Sequence, residues 1–76
     1  MSETLISIAA DILGVSVGDV SSETSRESAE NWDSMNHLRL ITALEEQYGI
    51  QFSMQEIEDI QTIDDVQQLL TRHGAG

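Results

Sequence analysis

The chain has 76 residues, with fourteen acidic residues against three arginines, no lysine and no cysteine, and a formal net charge of −11 at pH 7. This length predicts one small domain over residues 1–76, and the absence of cysteine excludes disulfides and thiolate metal sites. A surface this acidic repels phosphate backbones and anionic lipid, so we exclude nucleic acid and membrane surfaces as partners and expect proteins with basic patches.

The amino-terminal segment has the period of an amphipathic helix. Apolar residues at i, i+3, i+4 and i+7 share one helix face, here Leu5, Ile8, Ala9 and Ile12. Gly14 suits the end of a helix, which predicts a helix over about residues 3–13. The segment has acids where a signal peptide has basic residues, and its apolar run is shorter than the ~18 residues of a membrane span. We therefore expect a cytoplasmic protein.

Residues 15–33 lack a sustained period and are largely polar. A connection of this length in a small domain usually carries function or contains a short helix. We expect a long ordered loop over 15–33, with Trp32 packing its end.

Three more helical patterns follow this loop. The first runs over 34–48 and ends at Gly49, with the wide apolar stripe of a central bundle helix. Capping-box signals at Ser53 and Thr62 predict helices over about 54–60 and 63–73, and a frayed tail is expected at 74–76. The predicted fold class is all-α, a three-to-four-helix bundle with a long first loop, and we expect a monomer.

A catalytic triad of Asp33, Ser34 and His37 is excluded by their positions. A triad needs a base that contacts the nucleophile, a separate group that orients the base, and an oxyanion hole in a sheltered cleft. These three residues share the first turn of one surface helix, where we expect His37 to be exposed. We predict no catalytic residue and no enzymatic activity.

The acidic segments do not have the spacing of a metal site. Neither EEQYG nor QEIEDIQTIDD matches the D-x-D-x-D-G pattern of a calcium loop. We expect no dedicated metal site, only loose surface binding of Mg²⁺ or Ca²⁺.

Ser34 follows directly after a second residue that can cap the same helix. One cap suffices, and both Asp33 and Ser34 are of a favoured type. If Asp33 is the cap, the Ser34 hydroxyl points outward, and a phosphate ester on it would lie near the positive end of the helix dipole. The residues leave two interpretations open: Ser34 as a structural cap, or Ser34 as the carrier of a phosphate ester.

The residues around Ser34 resemble those of the acyl carrier proteins, the small phosphopantetheine-bearing carriers of acyl synthesis. That family has Asp-Ser-Leu at the start of the second helix, then Ala-Leu-Glu-Glu and an aromatic residue near a glycine. The matching residues here are Asp33-Ser34-Met35, Ala43-Leu44-Glu45-Glu46, Tyr48 and Gly49. The resemblance extends over nearly the whole chain.

The resemblance implies a free-standing carrier with 4′-phosphopantetheine attached to Ser34. A phosphopantetheinyl transferase would attach this arm from coenzyme A, and Mg²⁺ would serve the transferase and not a dedicated site in this chain. The arm's thiol would hold an acyl, hydroxyacyl or aminoacyl cargo as a thioester. A loading enzyme would supply the cargo, and a downstream synthase or transferase would accept it.

The resemblance and the helical pattern together assign two groups of residues. Docking of partners is expected at Asp33, Met35, Asn36, His37, Arg39, Glu45 and Glu46. An acyl pocket, or ordinary core packing, is expected at Leu38, Ile41, Leu44, Phe52, Ile57, Ile60 and Ile63.

Three departures bear on the pathway. Asn36 and Arg39 lie where fatty-acid carriers usually have acidic residues. Residues 31–33 differ from the glycines and histidine that peptidyl carriers have before the serine. Met35 after the serine is similar to the residue at this position in the carriers for D-alanine. We expect a dedicated pathway, either of fatty acid or polyketide biosynthesis or of secondary metabolism. The alternative from another class is an acidic helical interaction module without a prosthetic group, in which Ser34 is only a cap.

Overall fold

A computed structural model describes residues 2–75, which form four α-helices. Their bounds are α1 Glu3–Leu13, α2 Ser34–Tyr48, α3 Met54–Asp59 and α4 Ile63–Arg72. One 3-10 turn, Val17–Asp19, interrupts the long connection between α1 and α2. The predicted all-α helical bundle is confirmed, and α3 and α4 each end one residue earlier than the sequence pattern indicates.

Each helix begins at a side-chain cap. An oxygen of the residue before the helix accepts a backbone N–H of the first turn, at Ser2, Asp33, Ser53 and Thr62. Both predicted capping boxes form, because Glu56 and Asp65 bond back to the N–H groups of their own caps. These local bonds explain why the helices begin where the sequence places them.

The helices enclose one apolar core. The largest side chains with essentially no exposed surface are Leu5, Leu40, Leu44, Ile60, Ile63, Val66 and Leu70. Burial of each such side chain stabilises the fold by about 1.5–3 kcal/mol relative to leaving it exposed. Within residues 2–75, no helix is both long and apolar enough to cross a membrane.

The long loop is fastened to the junction between α3 and α4. The Arg26 N–H donates to the Gln61 carbonyl at 2.8 Å, and the Ile63 N–H donates to the Thr24 carbonyl at 2.9 Å. Nearer to α2, the Asn31 amide donates to the Leu13 carbonyl at 3.0 Å. The loop therefore reaches α2 along a defined path, which positions the residues just before the helix.

The end of α4 differs from the predicted frayed tail at 74–76. Gly74 has a positive φ of 75°, its N–H donates to the Thr71 carbonyl, and the Ala75 N–H donates to the Leu70 carbonyl at 2.8 Å. This is the paired hydrogen bonding of a Schellman motif, which satisfies carbonyls that a frayed end would leave to water. Gly76 lies outside the described residues.

Candidate functional site

Ser34 is the first residue of α2, and it is exposed. The Asp33 carboxylate caps the helix by accepting the Asn36 N–H at 2.9 Å, and the Asp33 carbonyl accepts the His37 N–H at 2.8 Å. Within residues 2–75, the Ser34 side chain makes no hydrogen bond. The cap is therefore Asp33, and the Ser34 hydroxyl is exposed and not used as a cap.

The start of α2 also offers unpaired backbone donors. The N–H groups of Ser34 and Met35 find no acceptor within residues 2–75, as is usual for a first helical turn. Together with the helix dipole, these donors favour a negatively charged group at this end of the helix.

A solvent-open groove of about 260 Å³ lies beside Ser34, between the starts of α2 and α3. Leu38, Met54 and Ile57 give it an apolar lining, and Arg26 from the long loop adds a positive charge. Glu58 on α3 also lines it. The groove thus combines an exposed hydroxyl, a cation and an apolar surface.

The prediction that His37 is exposed and contacts partners is wrong. His37 is only 4% exposed. Its Nδ1 accepts a hydrogen bond from the Trp32 indole N–H at 3.0 Å, and its Nε2 lies 2.9 Å from the Ile57 carbonyl oxygen. Because Nδ1 accepts, the neutral ring carries its proton on Nε2 and donates it to Ile57.

Burial lowers the pKa of His37 below its ordinary value of 6.5. The Ile57 carbonyl opposes this shift, and the charge of Arg26 adds to it. The histidine is therefore a neutral link that joins the end of the long loop, through Trp32, to α2 and α3.

Two sequence signals could have indicated this burial. His37 precedes Leu40 and Ile41 by three and four residues, so it lies on the same helix face as these buried side chains. Trp32, which is itself 3% exposed, also needs an acceptor for its indole N–H when buried. The predicted packing of Trp32 at the loop end agrees with this position.

The placement of Leu38 in the core is also wrong, because its side chain is 58% exposed and lines the open groove beside Ser34. Successive i+3 steps drift around a helix of 3.6 residues per turn, so Leu38 and Leu44 lie about 120° apart. The buried face of α2 instead consists of His37, Leu40, Ile41 and Leu44.

The other predicted docking residues differ in exposure. Met35, Arg39 and Glu46 are exposed, whereas Asn36 is half-buried and its amide donates to the Asn31 carbonyl at 2.7 Å. The half-buried Glu45 carboxylate accepts the Phe52 N–H at 2.9 Å. Glu45 thus serves the turn after α2, whereas Met35 and Arg39 are exposed near the start of the helix and Glu46 is exposed near its end.

The predicted pocket residues divide between core and groove. Five of them are buried in the common apolar cluster, namely Ile41, Leu44, Phe52, Ile60 and Ile63. Ile57 packs against this cluster and lines the groove beside Ser34, where Leu38 also lies.

The comparisons with known proteins agree with this geometry. A family model described as a phosphopantetheine attachment site matches residues 3–70. The fold is similar to that of a protein from Mycobacterium tuberculosis assigned as an acyl carrier protein, with a TM-score of 0.83 and 23% sequence identity. That match covers 93% of this chain and 95% of the other.

Proposed function

The chain belongs to the family of phosphopantetheine-bearing carrier proteins, and from this premise we propose that Ser34 is the residue to which the 4′-phosphopantetheine arm is attached. Members of this family carry acyl groups on a covalently bound arm and are not enzymes. The observation that supports Ser34 is its exposed, unbonded hydroxyl at the first position of α2, with Asp33 as the cap.

The residues around Ser34 fit such a group. Ser34 Oγ would supply the ester oxygen, and the Arg26 side chain in the neighbouring groove would offset the charge of the phosphodiester. The first-turn N–H of Met35 would favour the same negative charge. When attached, the arm supplies the thiol that holds an acyl group as a thioester.

The apolar part of the groove is proposed to receive the arm or the first part of its cargo. Leu38, Met54 and Ile57 line it, whereas the deeper residues belong to the packed core. A longer acyl chain could enter only if the core opened, and the packing lost would destabilise the fold by several kcal/mol per large cavity. We therefore propose that a short acyl, hydroxyacyl or aminoacyl cargo lies at the surface of this groove.

This function would require three partners: a phosphopantetheinyl transferase, a loading enzyme, and a downstream synthase or transferase of a dedicated pathway. The transferase would use coenzyme A and Mg²⁺, and we propose the cytoplasm, where coenzyme A is available, as the compartment of attachment. We propose that the chain acts as a monomer.

Intact mass spectrometry tests the attachment. The apo protein is incubated with coenzyme A, Mg²⁺ and a broad-specificity transferase, and its mass should rise by one phosphopantetheine arm. Ser34→Ala should stay unmodified, whereas Ser7→Ala, at an exposed serine of α1, should be modified like the wild type. An unchanged wild-type mass with several transferases, or modification of Ser34→Ala, would refute the proposal.

The alternative of an interaction module without a prosthetic group depends on Ser34 being the cap. Asp33 has that role in the structure, so the alternative loses the observation that motivated it.

A further inference from the structure

The sequence predicts partner contacts for Asn36 and Arg39, but in the structure these two side chains bond to each other. Arg39 Nη1 donates to the Asn36 side-chain oxygen at 3.1 Å, across one turn of α2. The Asn36 side-chain nitrogen donates in turn to the Asn31 carbonyl at 2.7 Å. Asn36 therefore uses both ends of its amide within the chain.

These bonds are part of a continuous path from α1 to α2. The Asn31 side chain donates to the carbonyl of Leu13, the last residue of α1, at 3.0 Å. The bonds from Asn36 to the Asn31 carbonyl and from Arg39 to Asn36 complete the path. Because the path joins residue 31 to residue 36, it spans Ser34.

Asn36 occupies the third position of its helix, where α3 and α4 have acidic residues. In those helices Glu56 and Asp65 accept the backbone N–H of their own caps, which makes two capping boxes. Asn36 instead donates two residues further back, to the Asn31 carbonyl. A carboxylate has no proton to donate at neutral pH, so an acidic residue could not make this bond. The amide of Asn36 is thus specific to the hold on the loop.

Ser34 depends on these neighbours for its position. Its side chain is exposed, and the helix cap is Asp33. The Asn36 N–H donates to the Asp33 carboxylate at 2.9 Å, and the Asn36 side chain holds the Asn31 carbonyl. A single residue thus fixes the chain at two points, one and three residues before Ser34.

We infer that Asn36 is a positioning residue for attachment of the arm: oriented by Arg39, it fixes residues 31–33 and thereby the Ser34 hydroxyl. The inference rests on the proposed function. In that reaction Ser34 Oγ forms a bond to the phosphorus next to the pantetheine part of coenzyme A, the bond from this phosphorus to the 3′,5′-ADP leaving group breaks, and the hydroxyl proton is released. The attacking oxygen must lie in line with the bond that breaks, so a small displacement of Ser34 lowers the rate of this step.

Asn36→Asp tests the inference, because it removes the donor of the amide and keeps an acceptor for Arg39. The carboxylate can form a capping box instead, as in α3 and α4. A negative charge suits the start of a helix and is repelled by Asp33, so we expect the Tm to change by less than about 4 °C. The kcat for attachment should fall by about two- to tenfold, the factor that corresponds to one lost hydrogen bond, with KM for the carrier within about twofold of the wild type.

A docking role for Asn36 predicts a different result. A partner with a basic patch would bind the new carboxylate more tightly, so KM would fall while kcat stayed the same, and this outcome would refute the positioning role. Gln47→Glu is the matched control, since it makes the same change at an exposed amide near the end of α2. Both constants should stay within about twofold of the wild type in this variant.

A double-mutant cycle tests whether Arg39 acts through Asn36. Arg39→Met should lower kcat by about two- to threefold in the wild type and should have no further effect in the Asn36→Ala background. Equal effects in both backgrounds would refute the role assigned to Arg39. Melting curves establish that each variant is folded, and Asn36→Ala replaces Asn36→Asp if the latter is unfolded.

Backbone order tests the same point without the transferase. Relaxation of the ¹⁵N nuclei in the apo protein should give lower order parameters at residues 31–34 in Asn36→Asp than in the wild type or Gln47→Glu. Unchanged order parameters together with a lower kcat would refute the inference, because the amide would then act by contact with the enzyme.

The outcomes separate the two proposals. Failure of every transferase to modify the wild type refutes attachment at Ser34. Normal modification of the wild type, with the kcat of Asn36→Asp equal to that of Gln47→Glu, refutes only the positioning inference.

Discussion

Acidification should destabilise this chain through one buried side chain, His37. Its Nδ1 accepts the Trp32 indole N–H, so protonation would place a hydrogen where that donor already points. The charged groups that face the ring across the groove are Arg26 and Glu58. Arg26 lowers the pKa of His37 further, in the same direction as burial.

The sign of the effect follows from proton binding. The pKa of His37 is lowered in the folded chain, so the unfolded chain binds more protons between that value and 6.5. The contribution of His37 to stability is complete above about pH 6.5 and is lost as pH falls through the lowered pKa.

Only one proton binds to His37, which limits how steeply the free energy of unfolding can change with pH. The free energy of unfolding should fall by at most about 1.4 kcal/mol per pH unit in this window. Loss of the Trp32 bond in a buried site costs about 1–3 kcal/mol, and each kcal/mol lowers the Tm of a domain this small by about 4–8 °C.

Two measurements check this prediction. Urea unfolding of the wild type, His37→Gln and His73→Gln is compared from about pH 7.5 to about pH 4.5, since repulsion among the acids changes alike in all three. Trp32 is the only tryptophan, so its fluorescence reports directly on the contact with His37. His73→Gln removes the histidine outside the core, whose Nε2 lies 3.1 Å from Glu56, and controls for the loss of an imidazole that does not contact Trp32.

Parallel curves for the wild type and His37→Gln over this range, together with a Trp32 fluorescence that does not change with pH, would show that His37 does not cause the loss of stability. A loss of stability confined to the acid end of this range, near pH 4.5, would point to a carboxylate. Glu56 is the candidate, because the Ser53 N–H bond and then His73 lower its pKa and its contribution is lost as pH falls through that lowered value.

Three further predictions concern the cap, the charge and one turn. Asp33→Ala should lower the free energy of unfolding by about 0.5–2 kcal/mol, whereas Ser34→Ala should change it by less than about 0.5 kcal/mol; equal losses in denaturant unfolding would contradict the cap assignment. Millimolar Mg²⁺ or added salt should raise the Tm by relieving repulsion among the acids, and a flat response would show that they are too dispersed. Gly49→Ala should lower the free energy of unfolding by about 1–2 kcal/mol, because Gly49 has a φ of 65°. No neighbouring atom obstructs the added Cβ, so the cost comes from the backbone conformation alone. An unchanged urea midpoint would argue against that backbone conformation.

Local patterns predicted the helices and the position of Ser34 well. The caps at Ser53 and Thr62 and the glycine after Tyr48 act over only three or four residues. They can therefore be recognised from the sequence alone. The start of α2 likewise depends on the neighbouring Asp33. The choice between Asp33 and Ser34 as cap needed coordinates, because both residue types are suited to it.

The amino-acid sequence alone determined the acidic, cysteine-free composition, the four helical segments and the serine at the start of the second helix. Each of these depends on short-range bonding or on charge. Only the tertiary structure decided that the polar ring of His37 could be buried on α2. His37 lies inside because the nearby Trp32 indole N–H and the Ile57 carbonyl, which is twenty residues away on α3, satisfy both ring nitrogens. Leu38 lies outside because α2 turns His37, Leu40, Ile41 and Leu44 into the core, which leaves Leu38 beside Ser34 on the surface.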